Sequence, residues 1–185
     1  MPSQRIIPML RKLSNEEPKP GPVRFASVAV IVLDGDDPMT LMIKRAERKE
    51  DPWSGQVAFP GGKRQDIDVS IRDTAIRETK EELGIDLSES AKFVGYYGPF
   101  RTHTGTMDVV PSVFLLEKNI TPAPNEEVSS FRWVAFSNFA DPLAKSAHTV
   151  RRDGATLEMP ALLVDDYVVW GLTYRMISSL ILEET

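Results

Sequence analysis

From Ala26 to Leu33 the chain is apolar at almost every position, reading ASVAVIVL. An apolar run of that length without alternation predicts a strand buried on both faces, in the middle of a sheet. Asp34-Gly35-Asp36-Asp37-Pro38 follows as a turn, and Met39 to Arg45 (MTLMIKR) predicts the strand that pairs back. Further strands are predicted over Gln56 to Phe59, Lys92 to Phe100, Met107 to Leu116 and Phe131 to Val134, with Pro111 marking an edge or a bulge. Residues 136–160 read as a short helical turn, then charged loop and strand around Arg151-Arg152-Asp153-Gly154. Tyr167 to Gly171 ends a strand, and Leu172 to Leu182 forms an apolar-faced helix. At the other end, residues 4–13 (QRIIPMLRKL) predict a short amphipathic helix broken or kinked by Pro8, and SNEEPKPGP reads as a linker. Residues 1–22 are thus an arm and linker, either a flexible tail or a segment docked on the domain or on the second subunit of a homodimer. Residues 23–185 form one domain. Its order of elements predicts an α/β fold, a mixed sheet between helices in an α/β/α sandwich.

One stretch has a helical period and carries the charge. Phe59 to Ile85 reads FPGGKRQDIDVSIRDTAIRETKEELGI, a Pro-Gly-Gly turn, a polar loop and a helix stopped by Gly84. With Ile71 at zero and about 100° per residue, Ala75, Thr79, Leu83 and Ile76 fall between about 40° and about 140°, the core stripe. Glu78 and Glu82 fall about 20° either side of zero, and Glu81 near about −80°. Two carboxylates therefore sit at the edge of the buried face, where desolvation is costly unless they are paired or bind a cation. An isolated RExxEE is usually a solvated face with Arg77 pairing Glu81. Here Gly61 and Gly62 precede it, and they let backbone groups approach a phosphate or a metal closely. Oxygen ligands of this kind suit Mg²⁺ or Mn²⁺. Lys44 and Arg45 end a strand where they can meet a substrate phosphate, and Arg101 and His103 lie in a polar loop suited to lining a pocket for an anionic ligand.

Composition narrows the classes. The 185 residues are 42% apolar, enough for a sizeable core, with a net charge of −5 and no long basic run. A nucleic-acid partner is not expected from such a surface. There is no cysteine, so no disulfide, thiolate zinc site or cysteine nucleophile. No segment reads as a signal peptide or a membrane span, and the expected location is the cytoplasm.

The stretch from residue 41 to residue 85 resembles the signature of the Nudix hydrolases, which cleave nucleoside diphosphates linked to another moiety. Arg77, Glu78, Glu81, Glu82, Gly84 and Ile85 stand at matching positions. The family's first Glu falls at Val69, its first Gly at Lys63, and an apolar position at Thr79; one extra residue between Gly62 and Arg77 accounts for the first two. That lengthened loop, with Phe59-Pro-Gly-Gly-Lys before it and Asp68-x-Ser70 and Thr74-Ala75 after it, resembles the coenzyme A pyrophosphatase branch. The ending VWGLTYRMI is also similar to that branch. Gly55-Gln56-Val57 stands where the branch has Gly-Glu-Val, and Glu50 where it has a basic residue. The absence of cysteine counts against the isoprenoid-diphosphate isomerases of the same fold. The resemblance implies a metal-dependent pyrophosphohydrolase acting on a small nucleotide substrate. Glu78, Glu81, Glu82 and the Gly62 carbonyl would hold Mg²⁺ or Mn²⁺, Glu81 or Glu127 would be the general base, Arg77 would orient the glutamates, and Gly61 would approach the substrate. Glu126 is the alternative to Glu127. Coenzyme A or an acyl-CoA is the expected substrate, with ADP-ribose or another nucleoside diphosphate derivative, or a non-catalytic nucleotide-binding module, as rivals.

Overall fold

The apolar run becomes strand β1 (Arg24–Leu33), and it has neighbours on both sides. Strand β7 (Met107–Leu116) pairs with it in parallel along its whole length. On the other side it meets β2 (Met39–Arg45) only at Val32 and Leu33, and β4 (Gly61–Lys63) at Ala26 to Val28. The computed structural model describes residues 2–19, 23–49, 53–116, 118–152 and 154–182. Strand β2 continues outward to β3 (Val57–Ala58) and to β8 (Val128–Ala135), and β7 continues to β5 (Ala91–Tyr96) and β6 (Phe100–Arg101). These eight strands form one mixed sheet.

Alternation along β1 divides the core. Ala29 and Ile31 face a cluster with Leu41, Ile43, Ala75, Leu83 and Phe114, under helices α2 (Ile71–Leu83) and α3 (Leu87–Ser90). Val30 and Val32 face a second cluster with Met42, Val109, Val113, Met176 and Ile177. Helix α5 (Gly171–Leu180) covers that face together with α1 (Ile7–Arg11), the short α4 (Phe136–Ala140) and a three-stranded sheet. The α/β/α sandwich is therefore as expected, with an added sheet on one side.

The ends of α2 explain its position. Ser70 accepts from the Asp73 N–H and the Asp73 carboxylate accepts from the Ser70 N–H, a reciprocal capping box. Gly84 closes the helix in the left-handed region at φ 67°. The last carbonyls do not go unsatisfied either: Glu82 and Leu83 accept from the N–H groups of Asn125 and Ala123, at 2.9 and 2.8 Å.

Three expectations are corrected. Pro111 is in a central strand, not at an edge. Its carbonyl accepts from Tyr97 N–H, so its missing donor faces the break between β5 and β6. Of the charged loop and strand expected around Arg151, the strand is present but the loop is not: Arg151 lies near the end of β9 (Lys145–Arg152), which forms a long antiparallel pair with β10 (Ala155–Val164), and β11 (Tyr167–Trp170) completes that sheet. Pro8 does not break α1, because it occupies the first turn, where its missing N–H is no loss.

The arm takes the docked alternative. Ile6 is 0% and Met9 2% exposed, both within the main core cluster. Lys12 Nζ donates to the Ser179 carbonyl at 2.8 Å, Ser14 exchanges backbone hydrogen bonds with Tyr96, and Glu17 accepts from Ile71 N–H at 3.0 Å. Ile6→Ala is expected to lower the stability of the whole chain by about 2–4 kcal/mol, read as a shift in the urea midpoint; a free tail would show no shift.

Candidate active site

Three segments converge on one cleft of about 680 Å³. Helix α2 supplies Glu78 and Glu82, strands β3 and β4 with their flanks supply Gln56, Gly61, Gly62 and Lys63, and the loop before β8 supplies Glu127. That loop reaches the site because its amides cap the end of α2. Arg45, Arg48 and Trp53 also line the cleft, with the Lys63 ammonium 5.6 Å above the Trp53 ring.

Glu82 is 2% exposed. Its carboxylate accepts from Gly61 N–H at 2.9 Å and has Arg45 Nη1 at 3.6 Å. Burial pushes its pKa up to about 8, against the pull of that N–H and of Arg45 and with the help of nearby Glu78 and Glu127. Burial also raises Glu78, opposed by the Arg77 guanidinium. The two glycines make this proximity available. A Cβ on Gly61 would lie 2.3 Å from the Ser27 carbonyl oxygen, and one on Gly62 would lie 2.5 Å from Glu78 Cδ. Glycine is needed here for close approach, by β1 in one case and by a carboxylate in the other.

Arg77 holds the arrangement. Its Nε and Nη2 donate to the two oxygens of Asp68 at 2.9 and 3.0 Å, its Nη2 to the Lys63 carbonyl at 3.0 Å, and its Nη1 to Glu78 at 2.8 Å and Glu81 at 3.3 Å. Asp68 is buried and also accepts from Thr74 Oγ1 and Gln65 N–H, each at 2.9 Å. Burial works against its charge, but Arg77 and these two donors more than offset it and hold the carboxyl at about 2. Asp68 thus takes the ion-pairing position that no spacing rule assigned to it. The signal was the acidic residue two places before the Ser70 cap; nothing in the sequence showed that it faces Arg77.

The other expected residues divide. Arg45, Gly61, Gly62, Glu78, Glu82 and Glu127 all line the cleft. Glu81 is on the solvent side of Arg77, its side chain 54% exposed, and does not line it. Glu126 is more exposed still and pairs with Arg48. Lys44, Arg101 and His103 are corrected, since none of them lines the cleft. Successive side chains of β2 alternate, and Arg45 takes the α2 side. Arg101 is committed to Asp108 across the β6–β7 pair, and His103 is exposed in the turn between those strands, with Thr102 lining the cleft instead. Glu50 lies outside the described residues. Arg48 and Lys63 were missed, because a basic residue in a loop carries no sign of where it points.

A model of the Nudix domain matches residues 23–153. The chain belongs to the Nudix family. It is 30% identical to the uncharacterized Nudix hydrolase NudL of Yersinia enterocolitica over 176 residues, covering 89% of this chain and 86% of that one. The MutT/nudix family protein of Enterococcus faecalis has the same fold, with a TM-score of 0.54 at 20% identity over 88% of this chain and 62% of that one. So has the Nudix domain of Shewanella oneidensis NrtR, solved with ADP-ribose, with a TM-score of 0.50 at 20% identity over 66% of this chain and 80% of that one. The protein is a Nudix hydrolase, and such enzymes act on nucleoside diphosphate derivatives and use divalent metal ions.

Among the described residues no three Asp, Glu or His side chains already converge as a metal-binding group. Glu78 is turned to Arg77 and Glu82 to Gly61 and Arg45. The donor chemistry nevertheless fits a hard divalent cation. Three carboxylates line one cleft, two of them disfavoured as anions by burial and by neighbouring carboxylates.

Two experiments check this geometry. Gly62→Ala is expected to displace the Glu78 carboxylate and lower hydrolase activity by about 10–100-fold, with a stability loss of less than about 1 kcal/mol. Gly61→Ala meets backbone instead and is expected to cost about 3 kcal/mol or more; the urea midpoints of the two variants separate the cases. Asp68 has a depressed pKa, so its contribution is present above its unfolded value and lost as pH falls through its folded one. Wild type is expected to exceed Asp68→Asn by about 2 kcal/mol near neutral pH. That margin should shrink as pH falls from about 4 to about 2, in urea titrations at each pH.

Proposed function

We propose that this hydrolase cleaves the pyrophosphate bond of coenzyme A or an acyl-CoA, using Mg²⁺ or Mn²⁺. The observation that supports the chemistry is the meeting of Glu78, Glu82 and Glu127, from segments far apart in sequence, with Arg45, Arg48 and Lys63 around a single cleft. The coenzyme A reading rests on the resemblance of the Phe59-Pro-Gly-Gly-Lys loop and of the C-terminal segment to that branch.

In this reading Glu78 and Glu82 would hold the cation, with the Gly62 carbonyl as a further oxygen donor; Glu81, which was also expected to bind it, is held by Arg77 outside the cleft. A divalent cation supplies Lewis-acid charge that polarises the phosphoryl oxygens and makes the attacking water more acidic. The chain's own residues do the rest. Arg45, Arg48 and Lys63 bring positive charge to the diphosphate. Glu127 accepts the proton of the attacking water; it lines the cleft, whereas Glu81 is held by Arg77 on the solvent side. Arg77 touches no substrate and acts by fixing Glu78. Trp53 lines the same cleft and stays partly exposed.

Product analysis with each metal tests the reading against coenzyme A, ADP-ribose, NADH, a diadenosine polyphosphate and a nucleoside triphosphate. Phosphopantetheine and adenosine 3′,5′-bisphosphate, formed well ahead of other products, are expected. Preference for ADP-ribose would move the substrate and leave the chemistry. No turnover of any compound would favour a binding module. Glu82→Gln keeps an acceptor for Gly61 N–H, and is expected to lose at least about a hundredfold in kcat with an unchanged circular dichroism spectrum.

A further inference from the structure

The cleft has two chemically different ends. Around Glu78, Glu82 and Glu127 it is charged. Past Ala26 and Val28 the lining changes to Met107, Val109, Leu172 and Met176, and the polar side chains among the described residues there are Thr102 and Thr173. Strand register sets how far apart the ends lie. Gly61 and Gly62 pair with Val28 and Ser27 on one side of β1, and Val109 pairs with Ala26 on the other. Two strand spacings separate them, about 10 Å across the sheet.

The apolar end is held in place by the rest of the chain. Leu172 and Met176 sit on the first turns of α5. The far end of that helix is tied down by Lys12 Nζ and Tyr97 Oη, which donate to the Ser179 carbonyl at 2.8 and 3.3 Å. Its middle is tied by Arg175 Nη1, which donates to the Arg101 carbonyl at 3.0 Å. Helix α5 lies beyond residues 23–153, so this wall comes from outside the segment that carries the family match.

A sugar placed here would bring several hydroxyls to a surface with two threonines to meet them, and unpaired hydroxyls in a desolvated site are costly. A pantetheine arm would bring one hydroxyl and two amides, but it places a methylene and a gem-dimethyl carbon next to the phosphate, and these would bury against the apolar side chains. Met107 and Met176 are unbranched thioethers that adapt to the shape beside them, which suits chains of different lengths.

We propose that this wall receives a methyl-rich, hydroxyl-poor arm such as pantetheine, attached through the distal phosphate, and that Leu172 sets the selectivity for such an arm over a sugar. The inference rests on the pyrophosphatase reading above. It narrows that reading, because it assigns the non-nucleotide half of the substrate to α5.

The test is kcat/KM for coenzyme A, hexanoyl-CoA and ADP-ribose, in wild type, Leu172→Gln and Leu172→Met. Wild type is expected to turn over hexanoyl-CoA at least as well as coenzyme A, and both ahead of ADP-ribose. The ratio of hexanoyl-CoA to ADP-ribose should fall roughly tenfold in Leu172→Gln and hold in Leu172→Met. A wild-type preference for ADP-ribose, or a ratio that Leu172→Gln leaves unchanged, overturns the inference while the hydrolase reading survives on the observed turnover. If no compound is turned over with either metal, both fall together.

Discussion

The guanidinium of Arg77 is the interaction on which the site depends. It lies between a loop and its own helix and gives the acceptors of each a donor to meet. Asp68 takes two of its donors, Lys63 offers a carbonyl, and Glu78 takes a third direction. Without that cation Glu78, Glu82 and Glu127 would crowd one cleft with less positive charge to oppose them. Asp68 would be a buried anion without its principal partner. Losing one member of a buried ion pair is more damaging than never having had it, because the other stays desolvated. The pair is thus less a source of stability than a means of fixing one rotamer of Glu78.

Backbone proximity is the second constraint, and it works with the first. Strand β4 is squeezed between β1 and α2, with no room for a Cβ on Gly61, where it would meet β1, or on Gly62, where it would meet the Glu78 carboxylate. The same two residues that bring β4 against the sheet also bring an N–H to Glu82 and leave space for the carboxylate of Glu78. Arg77 aims one glutamate and the glycines make room for both.

What could be read in the sequence follows from this. A helix converts spacing into direction, so RETKEE was enough to place Glu78 and Glu82 at the edge of the buried face. Continuous apolar character was enough to make β1 central, and Gly84 to end α2. Loops convert spacing into nothing of the kind. Arg101 and His103 looked like anion ligands, but Arg101 pairs with Asp108 and His103 turns to solvent. Arg48, Lys63 and Asp68 had no such signal and came into the site through folding of distant segments. Only the effect of Pro8 on the arm was misread, for a local reason: proline argues against a helix in its interior, and here it lies in the first turn. The β9–β10 pair was hidden because most of β10 is solvent-facing on both sides, so no clean alternation marks it.

The position of the cleft itself has a cause in the sheet. Strand β2 leaves β1 after two residue pairs and goes on to β3 and β8, while β4 takes the other end of the same edge of β1. At the join the Ala29 N–H donates to the Pro60 carbonyl at 2.7 Å, so the backbone stays satisfied while the strands part. Arg45, at the end of β2, and Glu82, under β4, meet across that division. A continuous sheet would have filled the space with side chains from neighbouring strands. A divided one opens a cavity between its two halves, floored by β1 and β7 and bounded by whatever the chain adds on top. The acidic half of the boundary comes from α2 and belongs to the motif. The other half comes from α5, which arrives last in the chain and is fastened by the first residues of it. The carboxylates and the apolar side chains of the cleft therefore sit on opposite walls, and the apolar wall can vary without disturbing the carboxylates.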